Sequence, residues 1–106
     1  MIKVATDKTI YQEIENGDTV LIEFCSAFSM PSTLEFENLK AVDRRLGDKI
    51  VILTLNIFDY PEIAKDYKIV VLPTTIVYKQ KHLTDRVHGY MPLDKINYML
   101  ARYIKD

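Results

Sequence analysis

The pattern of hydrophobic and polar positions changes repeatedly from strand-like to helix-like along the chain. Residues 19–25 and 50–56 are almost continuously apolar, which is typical of strands covered on both faces. Between them, Leu39, Val42 and Leu46 recur at the spacing of one helix face. A helical crossover between neighbouring strands gives parallel pairing. We therefore predict two central parallel strands joined by a long helix.

The rest of the chain continues this alternation. In the first helix, Ile10, Tyr11 and Ile14 share the predicted buried face, and Thr6 with Asp7 forms the predicted cap. The other predicted elements are a first strand at 2–5, a helix at 60–67, strands at 74–79 and 83–87, and a final helix at 93–104.

The order of these elements predicts an α/β fold. The order is β-α-β-α-β-α-β-β-α, so helical crossovers link the first three strands and a hairpin follows. The turn at 80–82 is short enough for antiparallel pairing of the last two strands. The length of 106 residues fits one domain over 1–106.

Charge and composition argue against several classes of function. Fourteen Lys and Arg against fifteen Asp and Glu give a net charge of −1, so we expect no nucleic-acid or membrane partner. No apolar run approaches the ~18 to 20 residues of a transmembrane helix. The N-terminus lacks the features of a secretory signal, so we expect a cytoplasmic location. The single cysteine, Cys25, excludes an intramolecular disulfide and a cysteine-based zinc site.

Four motifs stand in order on the predicted elements. They are residues 24–32 (Phe-Cys-Ser-Ala-Phe-Ser-Met-Pro-Ser), Leu55-Asn56-Ile57 followed by Pro61, Leu72-Pro73-Thr74, and Gly89. In this order and spacing the chain resembles the thioredoxin family over nearly its whole length. The resemblance implies a thioredoxin fold, with a central mixed sheet flanked by helices on both faces. It also implies a cis peptide bond before Pro73.

The main departure from the family lies at Ser29 and Ser32, which occupy the positions of its two redox cysteines. In the family the first cysteine attacks a substrate disulfide as a thiolate, and the second resolves the mixed disulfide. The resemblance implies a parent that reduces disulfide-containing proteins with electrons from a partner reductase. It implies no metal and no bound organic cofactor, and we expect a monomer. A serine hydroxyl cannot enter this chemistry, so we expect the chain to have no dithiol activity.

The two serines leave alternatives open. Without a chemical role, Ser29 is an N-cap and Ser32 a residue of the first helical turn. Serine-hydrolase chemistry lacks a base nearby, because the two histidines, His82 and His88, flank the last predicted strand. Replacement of sulfur by oxygen at both positions resembles deliberate inactivation of a Cys-Met-Pro-Cys site. The alternatives are a naturally redox-inactive module that holds an extended partner segment, and a purely structural domain.

Three residues near the serines are also candidates for the site. Glu23 is the one acid in the apolar second strand, and the resemblance implies a buried acid that transfers protons behind the second redox position. We expect burial to raise its pKa, unless the side chain turns to an edge or a water-filled gap. Thr54 stands where a lysine often accompanies that acid. Cys25 replaces a common tryptophan, and we expect a buried, unreactive thiol.

We expect an apolar platform around the serines. An extended peptide could bind there and pair with the backbone just before Pro73, in the groove that the family uses. The alternative is a scatter of apolar surface residues without function. The predicted substrate-binding residues are Phe28, Met30, Pro31, Leu72, Pro73, Gly89 and Tyr90.

Overall fold

The computed structural model describes residues 1–105. Within them, a 3-10 turn at Gly47–Lys49 follows the second helix, and no helix is long and apolar enough to cross a lipid bilayer. In chain order the elements are β1 (Ile2–Val4), α1 (Ile10–Asn16), β2 (Thr19–Cys25), α2 (Met30–Leu46), β3 (Val51–Asn56), α3 (Pro61–Asp66), β4 (Thr74–Lys79), β5 (His82–His88) and α4 (Leu93–Leu100).

The five strands form one mixed sheet in the order β1-β3-β2-β4-β5. The first three strands of the chain pair in parallel, with β3 between β1 and β2. The last two add as an antiparallel hairpin, with β4 next to β2. The predicted α/β architecture is therefore confirmed, and β2 lies at the centre of the sheet.

Two apolar clusters cover the sheet, because successive side chains of each strand point to opposite faces. The cluster beneath α2 and α4 includes Leu21, Leu39, Val42, Ile52, Val77, Ile96 and Leu100. The cluster beneath α1 and α3 includes Ile10, Ile14, Val20, Ile22, Phe24, Leu55 and Ile63. Since Leu21 faces α2, the alternation also directs Glu23, two residues along β2, to the α2 face of the sheet.

The first helix begins later than its sequence predicts. Its N-cap is Thr9, whereas Thr6 forms a turn in which its hydroxyl oxygen accepts the N–H groups of Lys8 and Thr9. The prediction that Tyr11 lies on the buried face is wrong, because that side chain is 51% exposed. Only Ile10 and Ile14, four residues apart, share the core side.

The last helix is shorter than the predicted 93–104. It ends at Leu100, and residues 101–103 continue as turns with hydrogen bonds from the N–H groups of Tyr103 and Ile104 to the Leu100 carbonyl. Ile104 nevertheless remains buried in the α2 and α4 cluster. The hydrophobic spacing therefore marks buried positions beyond the end of the regular helix.

Candidate functional site

A tight turn connects the end of β2 to the start of α2. The hydroxyl oxygen of the buried Ser26 accepts the Phe28 N–H at 3.1 Å, and the Ser26 carbonyl accepts the Ser29 N–H at 3.1 Å. These two bonds satisfy backbone donors that the strand no longer pairs. They fix Ser29 at the entrance of the helix.

Ser29 is the N-cap of α2. Its backbone is extended, and its side-chain oxygen accepts the Ser32 N–H at 3.2 Å, which satisfies one of the unpaired donors of the first turn. Pro31 stands within this first turn, where a missing N–H is tolerated. The predicted structural places of Ser29 as cap and Ser32 as first-turn residue are confirmed.

The two serine side chains are in direct contact. The Ser32 hydroxyl donates to Ser29 Oγ at 3.0 Å, with Ser32 buried and Ser29 half-buried. No basic side chain joins them within residues 1–105, and both His82 and His88 are exposed on β5. The geometry therefore offers no activated serine nucleophile.

Glu23 lies behind Ser32 in the interior, as its place in β2 predicted. It is 1% exposed, and its neighbours in register are Thr54 on β3 and Thr75 on β4. Burial, followed by the charge and hydrogen bond of the nearby Glu35 carboxyl, raises the pKa of Glu23 to about 9. The predicted burial is confirmed.

Glu35 is a second buried acid, which was not predicted from the sequence. It is 0% exposed, and burial raises its pKa. A signal was present, because residues 35, 39, 42 and 46 form one stripe of α2 that faces the core. An acid at a core position of an amphipathic helix is unusual enough to indicate a polar partner inside the protein.

A cavity of about 350 Å³ opens beside Ser32 at the carboxyl ends of β2 and β3. Cys25 lines it and is only half-buried, so the prediction of a buried thiol is wrong in this respect. Its sulfur lies 3.6 Å from the Leu55 carbonyl oxygen, and burial, followed by the charge of Glu23, raises the pKa of Cys25 to about 12. The residues around the cavity include Val4, Glu23, Cys25, Ser26, Ser32, Phe36, Thr54, Asn56 and Asp59.

Pro73, directly before β4, and Gly89, directly after β5, lie next to each other. The Leu72–Pro73 peptide bond is cis, and the Gly89 N–H donates to the Pro73 carbonyl at 2.7 Å. Gly89 has a φ of 89°, which glycine adopts without strain. Within residues 1–105, the backbone N–H and C=O of Leu72 make no hydrogen bond. This backbone is therefore free to pair with a bound segment.

Most of the predicted platform residues are exposed. Phe28 is 94% exposed, whereas Pro73 is buried and Leu72 half-buried. Val70, which is 87% exposed, and Val71 were not predicted from the sequence. The apolar run at 69–72 before Pro73 was the signal for these two. The exposed members of the platform are Phe28, Met30, Pro31, Val70, Val71 and Tyr90.

Two polar side chains of α2 connect the site to the loop after β5. Asn38 donates to the Tyr90 hydroxyl oxygen and to the Met91 carbonyl, each at 3.0 Å. Glu35 accepts the Met91 N–H at 2.9 Å. These bonds set the position of Tyr90 relative to α2. No group of three His, Cys, Asp or Glu side chains in residues 1–105 is arranged to hold a metal ion.

Curated relatives resemble the chain over most of its length. It is 23% identical over 104 residues to thioredoxin from Listeria monocytogenes, covering 98% of this chain and all of the relative. It is 28% identical to thioredoxin from Porphyra purpurea, covering 97% of each. It is 32% identical over 84 residues to thioredoxin Y2 of Arabidopsis thaliana chloroplasts, covering 78% of this chain and 50% of that one.

Solved structures share the fold. Chloroplastic thioredoxin z superposes with a TM-score of 0.89 at 17% identity, covering 95% of this chain and 92% of the other. Oxidised thioredoxin from Plasmodium falciparum superposes with a TM-score of 0.85 at 16% identity, covering 97% and 98%. The family model for thioredoxin matches residues 1–102. The chain belongs to the thioredoxin family.

Proposed function

We propose that this protein binds extended, disulfide-bearing polypeptide segments but performs no thiol-disulfide exchange while serines stand at 29 and 32. Thiol-disulfide exchange is the activity of the family to which the chain belongs. The observation that carries the proposal is the 3.0 Å between the two serine hydroxyl oxygens at the start of α2. Thiols at the same two positions would be close enough to form a disulfide, whose sulfur–sulfur bond is about 2 Å long.

The start of α2 suits a thiolate at position 29. The Ser32 N–H that now donates to Ser29 Oγ at 3.2 Å would donate to that thiolate, and the helix dipole would add to its stabilisation. Both effects lower a thiol pKa and raise the thiolate fraction at neutral pH. A hydroxyl at position 29 gains nothing comparable, because its proton is held far more tightly.

In the parent, two thiols at positions 29 and 32 are sufficient to reduce a substrate disulfide. The thiolate at position 29 attacks one sulfur of the substrate disulfide, and the other sulfur leaves as a thiolate that takes up a proton. The thiol at position 32 then loses its proton, attacks the sulfur at position 29 and releases the second half of the substrate. Two electrons reduce the substrate disulfide, and the two site sulfurs end as a disulfide.

The proposal includes the origin of the serines. Each differs from cysteine by one atom, and the cap, Pro31 and Pro73 around them are retained. We therefore favour deliberate replacement of two cysteines in a disulfide-reducing parent. A monomeric state, a cytoplasmic location and reduction by a partner reductase are expectations that accompany this parent.

Restoration of the thiols tests the proposal. The double variant Ser29→Cys plus Ser32→Cys should accelerate the reduction of a disulfide-linked polypeptide by dithiothreitol, followed as turbidity. The unaltered chain should not, and neither should the matched control Ser29→Ala plus Ser32→Ala. Ser29→Cys alone should accumulate a stable covalent adduct, because nothing resolves it. A folded double-cysteine variant without activity would overturn the proposal.

A naturally non-catalytic binding module that holds an extended partner segment, without a disulfide-reducing parent, is the second candidate function. It is favoured by the exposure of Phe28 in the turn before α2 and of Val70 two residues before the unpaired backbone of Leu72, since exposed apolar residues near a site often mark a binding surface. The unaltered chain should then bind a reduced and alkylated polypeptide. Phe28→Ser should weaken this binding, whereas Tyr98→Ser, at an exposed aromatic residue on α4, should not. Equal binding by both variants would contradict this function.

A further inference from the structure

Two buried carboxyl groups meet between β2 and α2. Glu23 and Glu35 are both almost fully buried, and a hydrogen bond joins their side chains. An ionised carboxylate can only accept hydrogen bonds, so a bond between two carboxyl groups requires a proton on one of them. The pair therefore holds at least one proton.

The remaining partners indicate which carboxyl keeps the negative charge. Glu35 accepts the Thr75 hydroxyl at 2.7 Å through Oε2 and the Met91 N–H at 2.9 Å through Oε1. Donors on both oxygens stabilise the ionised form of Glu35. Glu23 Oε2, by contrast, is buried without a partner in residues 1–105. Glu23 is therefore the carboxylic acid of the pair, and it donates to Glu35.

The surroundings supply no positive charge. Glu35 faces Glu23 from α2, Cys25 follows on the same strand, and Asp59 lines the cavity from the loop after β3. The neighbours in register from β3 and β4 are the uncharged Thr54 and Thr75. No Lys, Arg or His is among the described residues that line the cavity. Only the shared proton thus offsets the repulsion between the two acids.

We propose that Glu35 is a positioning residue: it shares one proton with Glu23 and holds the acid pair behind Ser32, so that the pair, through its one remaining negative charge, takes up a proton released at position 32. Thr75 and Met91 hold Glu35 in turn, which connects the acid pair to the strand after Pro73 and to the loop after β5.

The chemical use of this arrangement rests on the proposed function, since position 32 releases a proton during exchange only when it carries a thiol. In the double-cysteine variant, Glu23 passes its proton to the ionised Glu35 and takes up the proton of the thiol at position 32 as that sulfur attacks. The pair then holds one more proton than before. It returns this proton to the departing substrate thiolate, so the site regains its starting protonation. No further reactant is needed.

Titration of the unaltered chain is the first test. With carboxyl carbons of glutamate labelled by ¹³C, NMR should show the Glu23 carboxyl still protonated at pH 7 and ionising near the value of about 9 that burial and Glu35 impose. Ionisation of both Glu23 and Glu35 below pH 6 would overturn the shared proton and the proposal with it.

The variant Glu35→Gln distinguishes an effect of Glu35 on the pKa of Glu23 from an effect on stability alone. It removes the charge while it keeps an oxygen for the Met91 N–H, so the pKa of Glu23 should fall by at least about one unit. Glu37→Gln, at an exposed residue paired with Lys40, is the matched control and should leave Glu23 unchanged. An unchanged pKa of Glu23 in Glu35→Gln would overturn the proposal, whatever the variant's stability. If Glu35→Gln does not fold, the titration of the unaltered chain decides.

The same substitution in the double-cysteine variant tests the role of the Glu23 and Glu35 pair in disulfide reduction. Glu35→Gln should shift the pH optimum of disulfide reduction downward together with the pKa of Glu23. An unshifted optimum would overturn the role in exchange. If the double-cysteine variant is itself inactive, the proposed function fails, and the two NMR titrations still decide whether Glu35 positions Glu23.

Discussion

The two ends of strand β2 carry acids in opposite electrostatic situations. Asp18 precedes the strand, is open to solvent and pairs with Lys79, whose hydrogen bond holds the pKa of Asp18 below its usual range. Glu23, near the other end, is buried against Glu35, and its pKa is raised to about 9. The comparison shows that a carboxyl group's partner and its access to water set its pKa, far more than its residue type.

The two ends also serve different purposes. Lys79 binds Asp18 and the Tyr103 carbonyl oxygen at 3.3 Å, so it ties the segment after α4 to the sheet. On β5, Asp85 accepts hydrogen bonds at 2.5 Å from Tyr103 and from Arg102. These contacts stabilise the fold. The pair Glu23 and Glu35 instead lowers stability at neutral pH, which is a common property of functional sites.

The largest expected effect concerns Cys25, the last residue of β2 and the single thiol of the chain. Because its pKa is raised to about 12, its thiolate fraction in the native state should be roughly a thousandfold below that of an unfolded cysteine of pKa ~8.5. A thiol-titrating reagent at pH 8 should therefore modify the native protein far more slowly than the urea-unfolded protein. Fast native labelling would show that this end is open to water.

The second effect is the pH dependence of stability that Glu23 imposes. The folded-state pKa of Glu23 lies above its unfolded-state pKa of ~4.3. Its contribution to the free energy of unfolding is therefore fullest below pH ~4.3 and declines as pH rises toward about 9. Between pH 5 and pH 8 the unaltered chain should lose on the order of 2 to 4 kcal/mol relative to Glu23→Gln. Urea unfolding of both proteins at the two pH values measures this. Parallel curves would mean that Glu23 is solvated.

The sequence predicted the fold because the strong signals lie in β2, β3 and α2. Long apolar runs and a regular helical stripe identify an element correctly even when its predicted ends are misplaced. The first helix was misplaced at its start because Thr6 and Thr9 are both good caps, and only tertiary contacts choose between them. Tyr11 was misassigned because it is adjacent to Ile10, and adjacent helical residues lie about 100° apart around the axis.

The local structure around the candidate site was predicted where a short motif specifies it. Ser29, Ser32 and Glu23 stand at recognisable positions, and the structure brings Ser29 and Ser32 into contact. Glu35 was missed because its partners come from distant parts of the chain: Met91 is 56 residues away and Thr75 is 40. Pairings at such distances depend on the assembled sheet, which a reading of local pattern does not contain.

Asp85 on β5 should show the opposite pH dependence to Glu23. Burial raises the pKa of Asp85, but hydrogen bonds from Tyr103 and Arg102 outweigh it, so the pKa is lowered overall. The stabilisation that Asp85 provides is present above its unfolded-state pKa of ~3.9 and is lost as pH falls through its folded-state pKa. Asp85→Asn should therefore lower the free energy of unfolding by about 1 to 2 kcal/mol at pH 7 and flatten the loss below pH 4. Thermal unfolding across pH 2.5 to 7 measures both.

The smallest effect is expected for Asp18→Asn. The carboxylate of Asp18 is open to solvent, where ion pairs contribute little, and Lys79 keeps its bonds to Thr19 at 3.2 Å and to the Tyr103 carbonyl when Asp18 is neutral. The urea midpoint should shift less than in Asp85→Asn, and the remaining shift should vanish in high salt because exposed charges are screened. Lys79→Met is the informative partner variant, since it removes all three contacts together and should destabilise the chain more. If Asp18→Asn were as damaging as Lys79→Met, the ion pair itself, and not the attachment of the segment after α4, would hold this end of the sheet.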